Sequence, residues 1–243
     1  MNYRREYKYL IRSEMLDTLR EEFLPYLDYD QYSESMPGKE YTVRSVYYDT
    51  FNLQCYHEKA NGIKERKKYR IRGYNNGGSG DKVFLEIKRK NNEFISKDRA
   101  LIALHQVNPF LENKILFSDE SDYKNAALKW QYHFHIESLS PTMLVVYDRE
   151  AYQCKFGSGL RITFDKNLRS TATTEVGNLF SEPEWKYSLK DNFVLEVKFP
   201  DRLPAWLIKL LMKHNLQRTS VSKYLHSVED NFIHRNQFNL KVI

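Results

Sequence analysis

Through much of this chain apolar and polar residues alternate with a period of two, the spacing of a half-buried strand. Tyr7 and Tyr9 alternate with Glu6, Lys8 and Leu10, which predicts a strand over Tyr3–Leu10. Val43–Thr50 reads as a second strand, and Lys64–Arg72 as a third within a stretch at about 63–74. After a turn at Asn75–Gly80, Lys82–Lys90 returns with Val83, Leu85 and Ile87 on one face and Phe84, Glu86, Lys88 and Lys90 on the other. Glu93–Arg99 gives one more short strand. Met143–Arg149, Gly159–Asp165 and Asn192–Phe199 complete the set.

Helical spacing appears in four places. Met15, Leu16, Leu19, Phe23 and Leu27 follow Ser13, a candidate N-cap, and predict a helix to about Pro25. From about Ala100 to Tyr132 the pattern turns helical, with Leu101, Leu104 and Val107 at intervals of three. Arg202–Asn215 reads as a helix with Pro204 in its first turn and Trp206, Leu207, Leu210 and Leu211 on its apolar side. Thr219 or Ser220 would cap a last helix whose buried stripe is Tyr224, Leu225, Val228 and Phe232. Strands dominate and no compositional break marks a linker. The expectation is therefore one domain over 1–243, of the α+β class, built on an antiparallel sheet or barrel with flanking helices.

Composition narrows the class. The chain has 243 residues, 29% charged and 41% hydrophobic, as a folded globular protein does. Its net charge of +6 leans toward an anionic partner, although 32 acids are mixed in. Two cysteines, Cys55 and Cys154, imply no disulfide framework and suit a reducing compartment. No apolar run has the length of a membrane helix, and the N-terminus lacks a signal peptide, so a cytoplasmic location is expected.

The charges fall in a pattern. On a strand, Lys64, Arg66, Lys68, Arg70 and Arg72 share one face, each about 6.6–6.8 Å from the next. Glu-x-Lys recurs on three predicted strands: Glu6-Tyr7-Lys8, Glu86-Ile87-Lys88 and Glu196-Val197-Lys198. Tyr7, Ile87 and Val197 then face the core, and the acid and base share the other face. Tyr147 and Arg149 share a face, as do Arg161, Thr163 and Asp165. Any one Glu-x-Lys reads most simply as a cross-strand salt bridge on a solvated face. Three of them beside a five-cation strand read as a charged interior that needs a strongly anionic ligand. Carboxylates among the cations would suit a divalent metal, since Mg²⁺ and Mn²⁺ prefer oxygen donors and bridge carboxylate to phosphate.

Other chemistries are poorly supported. His133-x-His135 has no cysteine beside it and reads as packing, and Gly77-Gly78-Ser79-Gly80 lacks the lysine and the helix of a phosphate loop. No Gly-x-Ser-x-Gly elbow occurs. Nucleic-acid binding would call for basic residues spread over an outer face with exposed aromatics, and here they pair with Glu at strand spacing.

The ordered set Glu6-x-Lys8, Ser45-Val46-Tyr47-Tyr48-Asp49, Arg70-x-Arg72, Glu86-x-Lys88, Tyr147-x-Arg149, Arg161, Glu196-x-Lys198 and Ser222-Lys223-Tyr224 resembles the vacuolar transporter chaperone (VTC) domain. That domain is the polyphosphate polymerase branch of the triphosphate tunnel metalloenzymes. The resemblance runs from about Tyr3 to Val228. It implies an eight-stranded antiparallel β-barrel, the triphosphate tunnel, in which the γ-phosphoryl group of ATP passes to a growing polyphosphate chain with Mn²⁺ or Mg²⁺ bound. Carried over by position, it gives Lys8, Arg70, Arg72, Lys88, Arg149, Arg161 and Lys198 to phosphate oxygens. Tyr147 would donate a hydrogen bond to phosphate, and Ser222 and Lys223 would close one tunnel end. Glu196 would hold the metal with help from Glu86 or Glu6, and Arg66, Lys64 and Lys97 would guide the polyanion at the mouth. Arg4 stands where the wider superfamily often has a further Glu, which fits the polymerase branch better than a two-metal hydrolase. A metal-dependent triphosphatase and a non-catalytic polyphosphate-binding module are the alternatives. Fungal polymerases of the family work in membrane complexes, so a separate membrane partner is implied.

Overall fold

A computed structural model describes residues 5–77, 81–92, 94–115 and 123–233, with the side chain of 233 excepted. Arg4, Glu93, the Gly78–Gly80 end of the expected turn and part of the expected helical region therefore lie outside the described residues. In chain order the elements are β1 (Arg5–Arg12), α1 (Leu16–Phe23), β2 (Leu27–Tyr29), α2 (Gln31–Ser35), β3 (Tyr41–Asp49), α3 (Gln54–Ala60), β4 (Glu65–Tyr74), β5 (Lys82–Asn91) and β6 (Phe94–Ala103). They continue with α4 (Val107–Leu111), α5 (Tyr123–Ile136), β7 (Ser140–Cys154), β8 (Arg161–Ala172), β9 (Lys186–Tyr187), β10 (Asn192–Phe199), α6 (Ala205–Lys213) and α7 (Lys223–Val228). The α+β class expected from the pattern is what forms. Eight strands make the main sheet path, and the short β2 and β9 lie off it.

The chain divides into two compact units, the first of 1–42, 147–168 and 189–222, the second of 43–146, 169–188 and 223–243. In the first, β1, β10, β8 and β7 follow one another, with β1–β10 and β10–β8 antiparallel. Its core is the face the alternation predicted: Tyr9 and Ile11 of β1, Ile162 and Phe164 of β8, and Phe193, Leu195 and Val197 of β10, covered by Leu19 and Phe23 of α1 and Leu207 and Leu211 of α6. Tyr26 stacks on Trp206 with ring centroids 4.3 Å apart, which fixes the turn after α1 against α6.

In the second unit the order is β7, β3, β4, β5, β6, with β3–β4, β4–β5 and β5–β6 antiparallel. Tyr69, Ile71, Val83, Leu85 and Ile87 are fully buried or nearly so. Helix α5 covers them through Trp130, whose ring meets Tyr48 edge-on at 4.9 Å and whose Nε1 donates to the Glu86 carbonyl at 3.3 Å. Gly73 is required by packing rather than by backbone angle. A Cβ there would lie 2.5 Å from the Phe180 ring.

Several local expectations are corrected. Ser13 is not a cap: β1 runs to Arg12, and Ser13 opens a 3₁₀ turn whose N–H is taken by the Asp191 carbonyl at 2.8 Å. The region after Ala100 does not turn helical at once. Leu101 belongs to β6, because its pairing with β5 extends to Lys82↔Ala103. The last helix starts at Lys223, three residues after Ser220, and Phe232 is 37% exposed rather than buried. There the chain has passed into a π-helical turn, which shifts the helical face.

Trp130 anchors α5 and also satisfies a strand carbonyl beside Glu86. Trp130→Ala should lower stability by about 3–5 kcal/mol, the usual cost of emptying a large aromatic site. Urea unfolding followed by circular dichroism measures it, and a change below about 1 kcal/mol would show that α5 is not held this way.

Candidate functional site

Sheet pairing places the charged faces in register. In the second unit Arg70 lies directly opposite Glu86, and Glu86 directly opposite Arg99. Lys88 lies between Lys68 and Lys97 in the adjacent row. Glu86 is completely buried. Its Oε2 accepts from Arg70 Nε at 2.8 Å and lies 2.7 Å from Nη2, and its Oε1 meets Lys97 Nζ at 2.5 Å and Arg99 Nε at 3.1 Å. Arg72 Nη1 is 3.9 Å away, and its Nε donates to Ser45 Oγ at 3.1 Å. Burial alone would push the Glu86 carboxyl upward, but Arg70, Arg72 and Lys97 outweigh it and hold the group well below the usual carboxylate range. One anion thus sits under four cations, with Lys88 and Lys68 in the neighbouring row.

Two members of this cluster, Arg99 and Tyr47, were not assigned a role from the sequence. Arg99 shares the parity of Lys97 two residues earlier, a signal present in the alternation. Arg70 Nη1 donates to the Tyr47 hydroxyl at 3.1 Å. Burial raises the Tyr47 phenol, yet Arg70, Arg72 and Lys223 together bring it below its ordinary value. The Tyr47 ring stacks on Tyr224 of α7 at 4.9 Å, and the Tyr224 hydroxyl donates to buried Asp49 at 2.6 Å. Asp49 also accepts from the backbone N–H groups of Cys55 and Tyr56, so one carboxylate secures the starts of α3 and α7. Lys223, the first residue of α7, is buried.

In the first unit two Glu-x-Lys pairs cross. Glu6 lies opposite Lys198, and Lys8 opposite Glu196. Lys8 Nζ is 3.3 Å from Glu6 and 3.7 Å from Glu196, and Lys198 Nζ is 2.5 Å from Glu196. Burial pulls the Lys8 ammonium down, but Glu196 and Glu6 more than compensate and hold it above its ordinary value. Arg161 is the register partner of Lys198 on β8. Its Nη2 contacts Asp30 at 2.7 Å. Arg149, under the face of Tyr147 at 5.2 Å, forms a two-pronged pair with Asp165 at 2.6 and 2.8 Å. The alternation places Asp165 on a polar face with Arg161 and Thr163, and the structure makes it the partner of Arg149. Ser222 is buried.

The outlying predictions are less involved. Arg66 Nη1 donates to the Ile63 carbonyl at 2.5 Å, and Lys64 is exposed just before β4. His133 and His135 are on α5, against Glu137 at 2.8 Å and Asn113 at 3.1 Å.

Among the described residues no three His, Cys, Asp or Glu gather as a metal-ligand set. Mg²⁺ and Mn²⁺ are commonly bound through one or two carboxylates, with water and phosphate completing the shell. Glu196 and Glu6, two carboxylates sharing Lys8, fit that mode. Glu86 fits it less well, because four cations, Arg70, Arg72, Lys97 and Arg99, crowd it within 3.9 Å.

Two solved structures share this fold. One is a putative adenylate cyclase of Bacillus halodurans, 12% identical, with a TM-score of 0.54 over 97% of this chain and 98% of that one. The other is a putative adenylyl cyclase of Hippeastrum described as having a dominant triphosphatase activity, 13% identical, with a TM-score of 0.52 over 95% and 97%. The fold is that of the triphosphate tunnel class. Within it the chain belongs to the VTC domain family, whose model matches residues 3–232. A curated relative, vacuolar transporter chaperone complex subunit 4 of Trypanosoma brucei brucei, is 24% identical over 93% of this chain. The chain spans 34% of that relative's length.

Lys97 gives the cluster a pH signature. Its side chain is 39% exposed, and burial draws its amine down to about 7, opposed by Glu86 and aided by Arg70 and Arg72. A phosphate anion bound beside it favours the charged form, so binding takes up a proton. The Lys97 contribution is therefore full below about pH 7 and is lost as pH rises toward the higher pKa of the bound state. Affinity for inorganic tripolyphosphate, taken relative to Lys97→Arg to cancel the ligand's own titration, should fall by at most about tenfold per pH unit. Isothermal calorimetry on both sides of neutrality checks this, and a flat ratio would remove Lys97 from the anion site.

Proposed function

We propose that this domain is a metal-dependent polyphosphate polymerase that transfers the γ-phosphoryl group of ATP to a growing polyphosphate chain. The observation that carries the reading is the pair of basic sheet faces, each built around one buried glutamate, in a member of the VTC domain family. The similarity to a subunit of a vacuolar transporter chaperone complex accords with that family membership. The subunit's name also suggests that the domain works as part of a larger complex with other subunits. No helix among the described residues is long and apolar enough to cross a membrane.

Phosphoryl transfer needs little covalent help from protein. Alignment of donor and acceptor, and positive charge where negative charge spreads, supply most of the rate. In this reading Lys8, Lys198, Arg149 and Arg161 of the first unit hold phosphate oxygens, as do Arg70, Arg72, Lys88 and Lys97 of the second. Arg binds an oxygen pair through its fork, whereas Lys adds a point charge that can follow a moving group. Tyr147 donates a hydrogen bond, and Ser222 with Lys223 bounds the site, with Arg66 and Lys64 drawing in the polyanion. Glu196, with Glu6, would hold the divalent cation, which when bound neutralises and bridges phosphate oxygens. Glu86 is assigned instead to setting the positions of Arg70, Arg72, Lys97 and Arg99.

Purified protein incubated with ATP labelled at the γ-phosphate, with Mn²⁺, should yield a ladder of labelled chains that resists nuclease and yields to a polyphosphatase. Release of free labelled phosphate alone would make it a triphosphatase, and binding without turnover a capture module. Glu196→Gln should cut turnover by about 100-fold or more, the scale of one lost electrostatic contact to the transition state, while polyphosphate binding changes little. Turnover that survives in Glu196→Gln would remove the metal role from this residue.

A further inference from the structure

The first unit contains an open cleft of about 580 Å³ lined by Asp30, Gln31, Tyr32, Ser35, Gln153 and Arg161. Arg161 belongs to two places at once. It lines the cleft, and on β8 it is the register partner of Lys198, beside Glu196 and Lys8. A ligand whose phosphates lie on that face therefore has a neighbouring space reached past Arg161.

The lining decides what suits that space. A further run of polyphosphate would need a row of cations. Arg161 is the one cation among the described lining residues, and Asp30 cancels its charge at 2.7 Å. The rest is neutral and hydrogen-bonding: two amides, Gln31 and Gln153, the Ser35 hydroxyl, and Tyr32, a residue 40% exposed. This set suits a planar, uncharged group with several donors and acceptors. Glutamine amides pair with base edges, aromatic rings stack on base faces, and a carboxylate accepts from ribose hydroxyls. The volume is within the range of small-molecule sites.

The walls are held in place. Asp30 Oδ1 accepts from Ser33 N–H at 2.8 Å, which caps α2. Asp30 N–H donates to the Ala151 carbonyl at 2.8 Å, and Ala151 N–H donates to Ser33 Oγ at 3.1 Å, so α2 is tied to β7. Tyr32 rests edge-on against Tyr41 with centroids 4.7 Å apart. A carboxylate has about four acceptor sites, so Asp30 keeps capacity for a hydroxyl after binding Arg161 and Ser33.

We propose that this cleft binds the nucleoside of the nucleoside triphosphate donor, with Arg161 at the junction of nucleoside and phosphates. The proposal rests on the polymerase reading for the identity of the donor, and its site shares only Arg161 with the residues assigned to phosphate. It makes the chain choose a nucleotide over bare tripolyphosphate through neutral contacts.

Competition binding on the whole chain separates the two ideas. ATP and inorganic tripolyphosphate each displace a labelled polyphosphate from wild type, Gln153→Ala and Tyr32→Ala. ATP affinity should fall by about tenfold in the variants, the scale of one lost base contact, while tripolyphosphate affinity stays within about twofold. Photolabelling of the unaltered protein with azido-adenine ATP should mark the segment 30–35 or the strand around Gln153. Equal loss for both ligands, or no loss for ATP while it still competes, would overturn the cleft assignment and leave the polymerase reading standing. A selective loss of ATP affinity in a protein that never makes polyphosphate would support the cleft and sink the polymerase. Failure of ATP to compete at all would overturn both.

Discussion

A buried carboxylate under a crowd of cations is the interaction on which this molecule's chemistry depends. Like charges on neighbouring strands repel, and the Lys68–Lys88–Lys97 row would resist strand pairing unless something compensated it. Glu86, one row along on the same face, meets Lys97 of that row together with Arg70 on β4 and Arg99 on β6. An exposed ion pair stabilises by about 1 kcal/mol or less, but removing one partner from a buried cluster costs about 3–5 kcal/mol. The same contacts discriminate against register error. A slip of one residue would turn Glu86 into the apolar layer beneath α5 and leave its cations unpaired.

The first unit compensates its cations more fully, with Glu6, Glu196, Asp165 and Asp30 beside Lys8, Lys198, Arg149 and Arg161. Lys8 and Lys198 share Glu196, and Arg149 is gripped by Asp165 through two contacts. Such a face is pre-organised by its carboxylates, so its cations already hold their positions without a ligand. Asp49 plays the corresponding part for the helices of the second unit. By holding α3 and the Tyr224 hydroxyl it keeps Tyr47 against Arg70, which links helix packing to the position of that guanidinium.

The face of each strand was legible in the sequence because alternation is a local property. Tyr7, Ile87 and Val197 pack inward, and the Glu and Lys on either side of each of them share the other face, as period two requires. What was not legible depended on partners distant in the chain. Arg99 acquires its role only when β6 pairs with β5, and that pairing also carries Leu101 beyond the point where its spacing suggested a helix. Asp165 joins Arg149 across two strands, and Tyr47 joins Arg70. Ser13 has the chemistry of a cap, but the sheet extends through Arg12 and leaves it in a 3₁₀ turn. Local propensity lost in each case to long-range hydrogen bonding.

Charge alone would account for affinity toward phosphate chains but not for choice among them. Every polyphosphate, free or on a nucleotide, presents the same oxygens to Lys and Arg, so a purely basic face binds them all and its selectivity is that of net charge. Discrimination between ligands is a difference of free energies and must come from contacts that only one of them can make. Those contacts have to be neutral, directional and beside the phosphate face. The charged faces of the strands cannot readily supply them, and in the cleft proposed above they would come from the short helix α2 and the exposed Gln153 of β7. The same division holds in nucleic-acid recognition, where backbone contacts position the ligand and base contacts specify it.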